Sequence, residues 1–344
     1  MPTNSNNRNL NQAKSAKKDE FYTQLPDIEN ELRFYKAHFK DKVVYCNCDD
    51  PRISNFFHFF SYNFEHYGLK KLITTCYKNQ NMDLFSREEE EQAICLEYHG
   101  DQNGNCVPDL EEIGVKTLKG DGAFQSEECI SLLQKADIVV TNPPFSLFRT
   151  YINQLIEYDK KFLIIGNLNA TTYKEVFSLI VQNKVWLGPS ITSGDREFGV
   201  PDDYPLEAAG FRIDENGQKY IKVKGVRWFT NLPHEKRHED LILFRHYDPD
   251  LYPKYDNYDA IEVSKVADIP CDYDGAMGVP ISFLDKYNPN QFEILGSFNA
   301  GHHGEALGAK KVETISKGKL LMWNGPVIDK KPLYKRVVIK RLKS

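Results

Sequence analysis

No apolar run in the 344 residues approaches the roughly 20 that a membrane-spanning helix needs, and the mean hydropathy is -0.54. The first eighteen residues are polar and lack the apolar segment of a secretory leader, so a soluble, cytoplasmic protein is expected. Seven cysteines (Cys46, Cys48, Cys76, Cys95, Cys106, Cys129 and Cys271) are scattered and odd in number, which does not read as a disulfide framework. Cys46 and Cys48 have no second pair at zinc-ribbon spacing, and His234 and His238, four apart, read as exposed polar positions. No metal site is expected. A basic surplus is also missing: 44 Lys and Arg stand against 49 Asp and Glu. Bulk charge therefore gives no argument for nucleic acid, but local patches set local potentials. Seven Lys or Arg lie from Lys330 onward with no acid among them, and Arg8, Lys14, Lys17 and Lys18 lead the chain. Basic ends on an acidic body suit phosphate contacts or simply solvated tails.

What is present reads as an alternating α/β chain. Residues 1–16, rich in Asn, Ser and Lys, bury too little to offset ordering entropy and are expected to form a flexible basic arm. Ile28, Leu32, Tyr35 and Phe39 recur at helical spacing. Asp41 to Asn47 predicts a buried strand, Asn55 to Phe64 an aromatic-rich helix ended at Gly68, and Lys70 to Thr75 the next strand. Charged residues 79–105 suggest an insertion or hairpin on the rim. A helix from Ser126 to Lys135, a strand Asp137 to Val140, a helix over 147–158, a strand Lys161 to Gly166, a helix over 172–183 and a strand Lys184 to Leu187 continue the alternation. Apolar strands without period-2 alternation, separated by helices, fit a parallel sheet covered on both faces. After Gly188 the chain becomes irregular, with short strands expected at 220–229 and 240–245 and a last strand from Tyr334 to Arg341. The expected organisation is a main domain over 17–188, an irregular region over 189–275, and a C-terminal segment over 276–344 that packs on the main domain.

The stretch Asp137 to Phe145 carries the chemistry. A buried strand stops at a rigid turn, Asn142-Pro143-Pro144, and delivers an aromatic, Phe145. In doubly wound sheets ligands sit at the carboxyl ends of strands. Two prolines fix φ and remove two N–H donors, so the turn offers acceptors to a substrate that donates hydrogen bonds. The exocyclic amine of adenine is such a substrate. Acceptance of its two hydrogens by the Asn142 side-chain oxygen and the Pro143 carbonyl would aim the nitrogen lone pair at the methyl group of a sulfonium cofactor. In-line displacement then needs mostly positioning, and Phe145 can stack on a base that has left the duplex. By chance this tetrapeptide turns up in on the order of one chain per thousand of this length.

Asn142-Pro143-Pro144-Phe145 resembles the motif of amino-methyltransferases, in the adenine-N6 branch. More of the chain resembles the EcoRI-type adenine-specific DNA methyltransferases: Asp19 to Gln24, Val43 to Arg52, Asp137 to Phe148, Tyr255 to Ala260, and Gly278 to Ile281. The resemblance implies a Rossmann-like class I fold that uses S-adenosylmethionine, with a second, irregular target-recognition lobe. It implies a cofactor site built from Phe21, Tyr22 and Thr23 before the first strand, from Cys46, Asn47, Asp49 and Asp50 at that strand's end, and from Asp121 and Phe124 at the cofactor adenine. The chain departs from the family pattern in two places. No glycine-rich turn follows the first strand, and no acid ends the second, where a ribose ligand would stand.

Arg196, Arg227, Lys236 and Arg237 are the expected DNA contacts, drawn from a stretch that also holds Arg212, Lys222 and Lys224. Arg pairs well with guanine edges, whereas Lys more often meets phosphate. The expected partner is double-stranded DNA. A monomer suffices, a dimer is compatible, and so is a cognate restriction endonuclease acting separately. Two alternatives stand beside this reading: an amino-group methyltransferase of RNA or protein glutamine, and a DNA-binding module that has lost catalysis.

Overall fold

The computed structural model describes residues 21–48, 54–75, 93–105, 107–109, 111–201, 204, 210–316 and 318–342. The expected arm over 1–16 and the loop residues Asp49 and Asp50 lie outside them. The chain forms two compact units. The first comprises the described residues up to Ala170 together with Leu187–Leu232, and the second comprises Thr171–Trp186 and the described residues from Pro233 onward. The division therefore falls elsewhere than at residue 188: the described residues of 189–232, expected in a separate lobe, group with Asn142–Phe145 in the first unit.

The first unit is built on a mixed sheet ordered Gly114–Thr117, Ile94–Tyr98, Lys71–Thr75, Val43–Asn47, Ile138–Thr141, Lys161–Asn167 and Val226–Thr230, with Leu187 of the short Trp186–Leu187 strand at its outer edge. The four middle strands run parallel, and their neighbours on either side run antiparallel. The parallel strands are the apolar segments expected to be buried on both faces: Val44, Leu72, Val140 and Ile164 are wholly enclosed. Register is pinned at the entry to the motif strand, where Val43 N–H donates to Asp137 Oδ2 at 2.8 Å and Asp137 N–H returns a bond to the Val43 carbonyl at 2.9 Å.

Helices cover this sheet for reasons visible in sequence. Ser126 caps the Glu127–Lys135 helix, its Oγ accepting from Cys129 N–H at 3.3 Å. Glu127 and Glu128 sit in the first turn and Lys135 in the last, with the helix dipole. The Phe148–Glu157 helix buries Phe148, Tyr151, Ile152 and Leu155, the i, i+3, i+4, i+7 stripe. Phe148 lies so close to the neighbouring strand that a Cβ on Gly166 would overlap its ring. Two expected helices are broken in two: Leu25–Leu32 precedes Lys36–Phe39, and Asn55–Tyr62 precedes Phe64–Tyr67, which ends at Gly68 with φ +61°.

The single strand expected at 220–229 is two strands in two sheets. Lys219–Lys224 belongs to a four-stranded antiparallel sheet ordered Tyr22–Thr23, Asp195–Gly199, Lys219–Lys224, Arg212–Ile213. Gly225, with φ +71°, turns the corner, and Val226–Thr230 then enters the large sheet with all five residues buried. Only glycine takes that backbone conformation without steric cost.

In the second unit, Ile261–Glu262, Met277–Pro280, Arg336–Arg341 and Phe292–Phe298 form a four-stranded sheet. Arg336 grips buried Glu262 with Nε and Nη2, at 3.0 and 2.6 Å from Oε1, and Tyr255 OH donates to the same carboxylate. The last expected strand thus stands, trimmed to Arg336–Arg341. The strand expected at 240–245 is absent among the described residues, where only an isolated bridge joins Arg245 to Pro270. The helix expected over 172–183 is Lys174–Val181. No helix among the described residues is long and apolar enough to cross a membrane.

Candidate active site

Chain order and sheet order part company beside Val43–Asn47. From that strand the chain steps to Lys71–Thr75 on one side, and later returns to lay Ile138–Thr141 against the other side. The crevice beyond the carboxyl ends of such a pair is where doubly wound sheets take ligands. Those ends are Asn47 and Thr141, and the residues that follow are Cys48 and Asn142. Thr141 Oγ1 donates to the Asn47 carbonyl and ties the two strand ends together.

Asn142 is 4% exposed. Its Nδ2 donates to the Phe21 carbonyl at 2.6 Å. A carbonyl can only accept, so the amide is oriented with its oxygen away from Phe21. That oxygen, Oδ1, is buried and has no hydrogen-bond partner among the described residues, and the same holds for Thr23 Oγ1. Buried polar atoms are nearly always paired in a folded protein, so these two oxygens fit an incoming ligand that brings donors. Pro143 is buried and Pro144 half-buried, and the turn closes with Leu147 N–H donating to the Pro144 carbonyl at 2.9 Å.

Phe145 is half-buried and held edge-on by two other rings. Its centroid lies 5.5 Å from that of Phe21, at 78°, and 6.3 Å from that of Phe198, at 90°. Phe21 also meets Phe198 at 5.8 Å and Tyr204 at 6.4 Å. Near-perpendicular packing of this kind fixes a ring's plane. The two-residue strand Tyr22–Thr23 is anchored at Tyr22 to Gly199 and at Thr23 to Phe198, and Asn55 Nδ2 donates to the Thr23 carbonyl at 2.7 Å.

Asn47 is nearly enclosed, and its Oδ1 accepts from Tyr151 OH. Burial pushes the Tyr151 phenol well above its usual pKa, with the Cys48 thiol as the next cause, so the group stays a neutral donor. Phe124 stacks edge-on against Tyr151 at 5.0 Å, and its carbonyl accepts from Gln154 Nε2 at 3.1 Å. Asp121 is exposed, with Oδ1 accepting from Ala123 N–H at 2.9 Å in a local turn. Cys46 lies in the strand, 2% exposed, where it has little beyond backbone to offer a ligand. The missing glycine after the first strand has a structural counterpart: Cys48 takes the left-handed backbone, φ +78°, that a glycine would take without cost.

Contacts thus link Phe21 to Thr23, Asn47, Phe124 and Asn142 to Phe145 at the carboxyl ends of Val43–Asn47 and Ile138–Thr141. They add Tyr151, Thr141, Phe198 and Tyr204, which sequence reasoning missed. Tyr151 left one signal, a phenol on an otherwise apolar helix face, whereas Phe198 left none. The cationic residues are not gathered with them. Arg227 is 4% exposed, with Nη1 donating to the Val226 carbonyl at 2.8 Å and Nη2 to the Thr192 carbonyl at 2.7 Å. The expectation that it reaches DNA is corrected by this burial, since it stands in the sheet as a structural cation. Arg196 is partly exposed and 3.4 Å from Asp27 Oδ1. Arg237 lies 3.9 Å over the Trp186 ring and donates to Asn183 Oδ1 at 2.7 Å. Lys236 is exposed, 3.5 Å from Glu239. His234, expected at the surface, is 8% exposed. One set of metal-type donors exists among the described residues: His246, Cys271 and Asp272, with atoms within 4.8 Å of one another. Its shortest link is a surface bond between His246 Nδ1 and Asp272 Oδ2, 2.9 Å, which holds that carboxyl below its usual range.

A rigid turn at the switch point of the parallel strands, beside an aromatic ring and two unpaired buried oxygens, fits an enzyme whose substrate donates hydrogen bonds, as an amino group does. The family is narrower than that class. Residues 9–342 match the family described as adenine-specific methyltransferase EcoRI, and the chain belongs to it, as an adenine-specific DNA methyltransferase. It is 54% identical over 297 residues to the type II methyltransferase M.EcoRI of Escherichia coli, covering 86% of this chain and 90% of that one. It is 37% identical over 338 residues to the type II methyltransferase M.MgeORF184P of Mycoplasma genitalium, covering 96% and 98%. With M.MpnI of Mycoplasma pneumoniae it shares 39% over 291 residues, covering 83% and 84%. No solved structure matches the chain.

Proposed function

We propose that the chain methylates the N6 amine of adenine within a specific sequence of double-stranded DNA, on a Rossmann-like class I fold, in a restriction-linked or solitary modification role. The observation that carries this reading is the Asn142 amide, locked by the Phe21 carbonyl with a buried oxygen left unpartnered. An amine hydrogen of adenine satisfies that oxygen, and the Pro143 carbonyl accepts the other. Both bonds polarise N–H toward nitrogen and bias the amine toward sp³ character, which frees its lone pair for attack. Phe145, fixed on edge by Phe21 and Phe198, stacks on the extruded base.

The methyl donor is S-adenosylmethionine, which supplies an electrophilic methyl on a sulfonium. Thr23 Oγ1, the Asn47 amide held by Tyr151, and Phe124 are the described residues that fit it. Asp49, Asp50 and Asp121 complete the proposed set. Lys236 and Arg196 carry the proposed phosphate contacts, with Arg237 and the C-terminal segment.

Transfer of a tritiated methyl group to matched duplex DNA, single-stranded DNA and RNA tests the substrate. Label in duplex adenine N6, with a 2-aminopurine at the target brightening on binding, is the expected result. Label in RNA alone overturns it.

A further inference from the structure

The second unit carries a two-stranded antiparallel ribbon, Val312–Ser316 with Lys319–Trp323. Its register pairs Glu313 with Met322 and Ile315 with Leu320, so these four side chains share one face. On the other face Thr314 is 1% exposed and donates to the Leu321 carbonyl at 3.0 Å, while Leu321, its cross-strand partner, is 49% exposed. The outward face is apolar and bare, with Ile315 52%, Leu320 70% and Met322 60% exposed. Three large apolar groups side by side in water mark a surface that meets something.

The charge around the ribbon says what. From Lys310 to Arg341 there are ten Lys or Arg and two acids, in a chain whose net charge is -5. Lys310, Lys319, Lys330 and Lys331 are exposed and make no ion pair with a described residue. Lys330 and Lys331 flank the ribbon, since the Lys330 carbonyl accepts from Ile315 N–H at 2.8 Å. A second copy of this chain would bring the same cations together face to face. A duplex instead offers phosphates on both sides of an apolar and polar floor. Its major groove is about 12 Å wide and admits a two-stranded ribbon.

We propose that this ribbon lies in the DNA major groove and reads sequence there. Ile315, Leu320 and Met322 face base edges, where apolar side chains select thymine methyl groups. Glu313, the one acid on the face, accepts from a cytosine amine. Lys310, Lys319, Lys330 and Lys331 meet the phosphates alongside. This deepens the proposed function, because it rests on duplex DNA being the substrate.

The test uses the full chain and two duplexes, one carrying the motif that the enzyme methylates, found first by sequencing, and one lacking it. Fluorescence anisotropy measures both affinities at two salt concentrations. A triple variant Ile315→Ser, Leu320→Ser, Met322→Ser is expected to lose about tenfold or more on the motif duplex and little on the other. Lys310→Gln with Lys319→Gln is expected to weaken both duplexes alike and to reduce the log–log salt slope by about one per lysine. Glu313→Gln, an exposed swap that leaves folding intact, is expected to relax the motif at one position. Wild-type binding by the triple variant and by Glu313→Gln would overturn the proposal, as would a wild-type dimer that the triple variant loses. A wild type that methylates no duplex at all would instead sink the reading beneath it.

Discussion

The carboxyl edge of the large sheet and the ribbon of the second unit handle polar groups in opposite ways. At the sheet edge the groups are buried and tied: Thr141 to Asn47, Asn47 to Tyr151, Asn142 to Phe21. What stands out there is what is left over, the two oxygens of Asn142 and Thr23. On the outward face of the ribbon and beside it the charged groups are exposed and untied, and what stands out is apolar area among lysines. A site for chemistry on a weak nucleophile needs geometry fixed before the substrate arrives. A surface that meets a polyanion needs charge and shape, with order supplied on contact. The difference teaches where to look for each kind of function in one chain.

The sharpest break of this comparison is Asn142→Ala. It deletes the unpartnered oxygen and the bond to the Phe21 carbonyl; methyl transfer is expected to fall by about 100-fold or more, far beyond a stability loss of about 1–3 kcal/mol, with DNA affinity nearly unchanged. Label transfer together with anisotropy reads both. A rate near wild type would mean that the tied edge is mere packing.

Next in size is Glu31, buried in the same unit, where it accepts from Tyr35 OH and Ser190 N–H, both at 2.9 Å. Burial raises its carboxyl pKa to about 7, against hydrogen bonds that lower it. The folded state therefore holds this proton more tightly than the unfolded chain. The associated stability is present below about pH 4.5 and is lost as pH rises through about 7, a change on the order of 3 kcal/mol. Glu31→Gln is expected to remove that slope, and chemical denaturation at pH 5 and pH 8 measures it.

Tyr151→Phe removes one hydroxyl and leaves the Asn47 oxygen unpaired. A loss of about 1–3 kcal/mol in stability is expected, with weaker S-adenosylmethionine binding by calorimetry. Unchanged cofactor affinity would separate Asn47 from the cofactor site. The smallest effect is Cys48→Gly, which relieves a left-handed non-glycine residue and is expected to stabilise the fold by about 1 kcal/mol in thermal unfolding.

The parallel strands and the Asn142 turn are legible in sequence because their signals are local. A short apolar run bounded by turn residues reads as a buried strand, and two prolines after an asparagine state their own geometry. Gly225 does not announce a corner, because a glycine between two strand-like runs equally suits a bulge in one strand. Arg227 resembles a DNA contact because residue type does not reveal whether a guanidinium meets phosphate or backbone carbonyls. The unit boundary is hidden for a related reason: residues 195–230 return to the first unit through pairings with Tyr22, Thr23 and Lys161–Asn167, distant in sequence. Tyr151 shows a phenol on an otherwise apolar helix face, but only the Asn47 contact shows what its hydroxyl does.

The most direct test is single-molecule sequencing of genomic DNA from a methylation-deficient host expressing either wild type or Asn142→Ala. N6-methyladenine at one recurrent motif, absent with the variant, is the result expected. Unmodified DNA from cells making folded, S-adenosylmethionine-binding wild type would contradict the account.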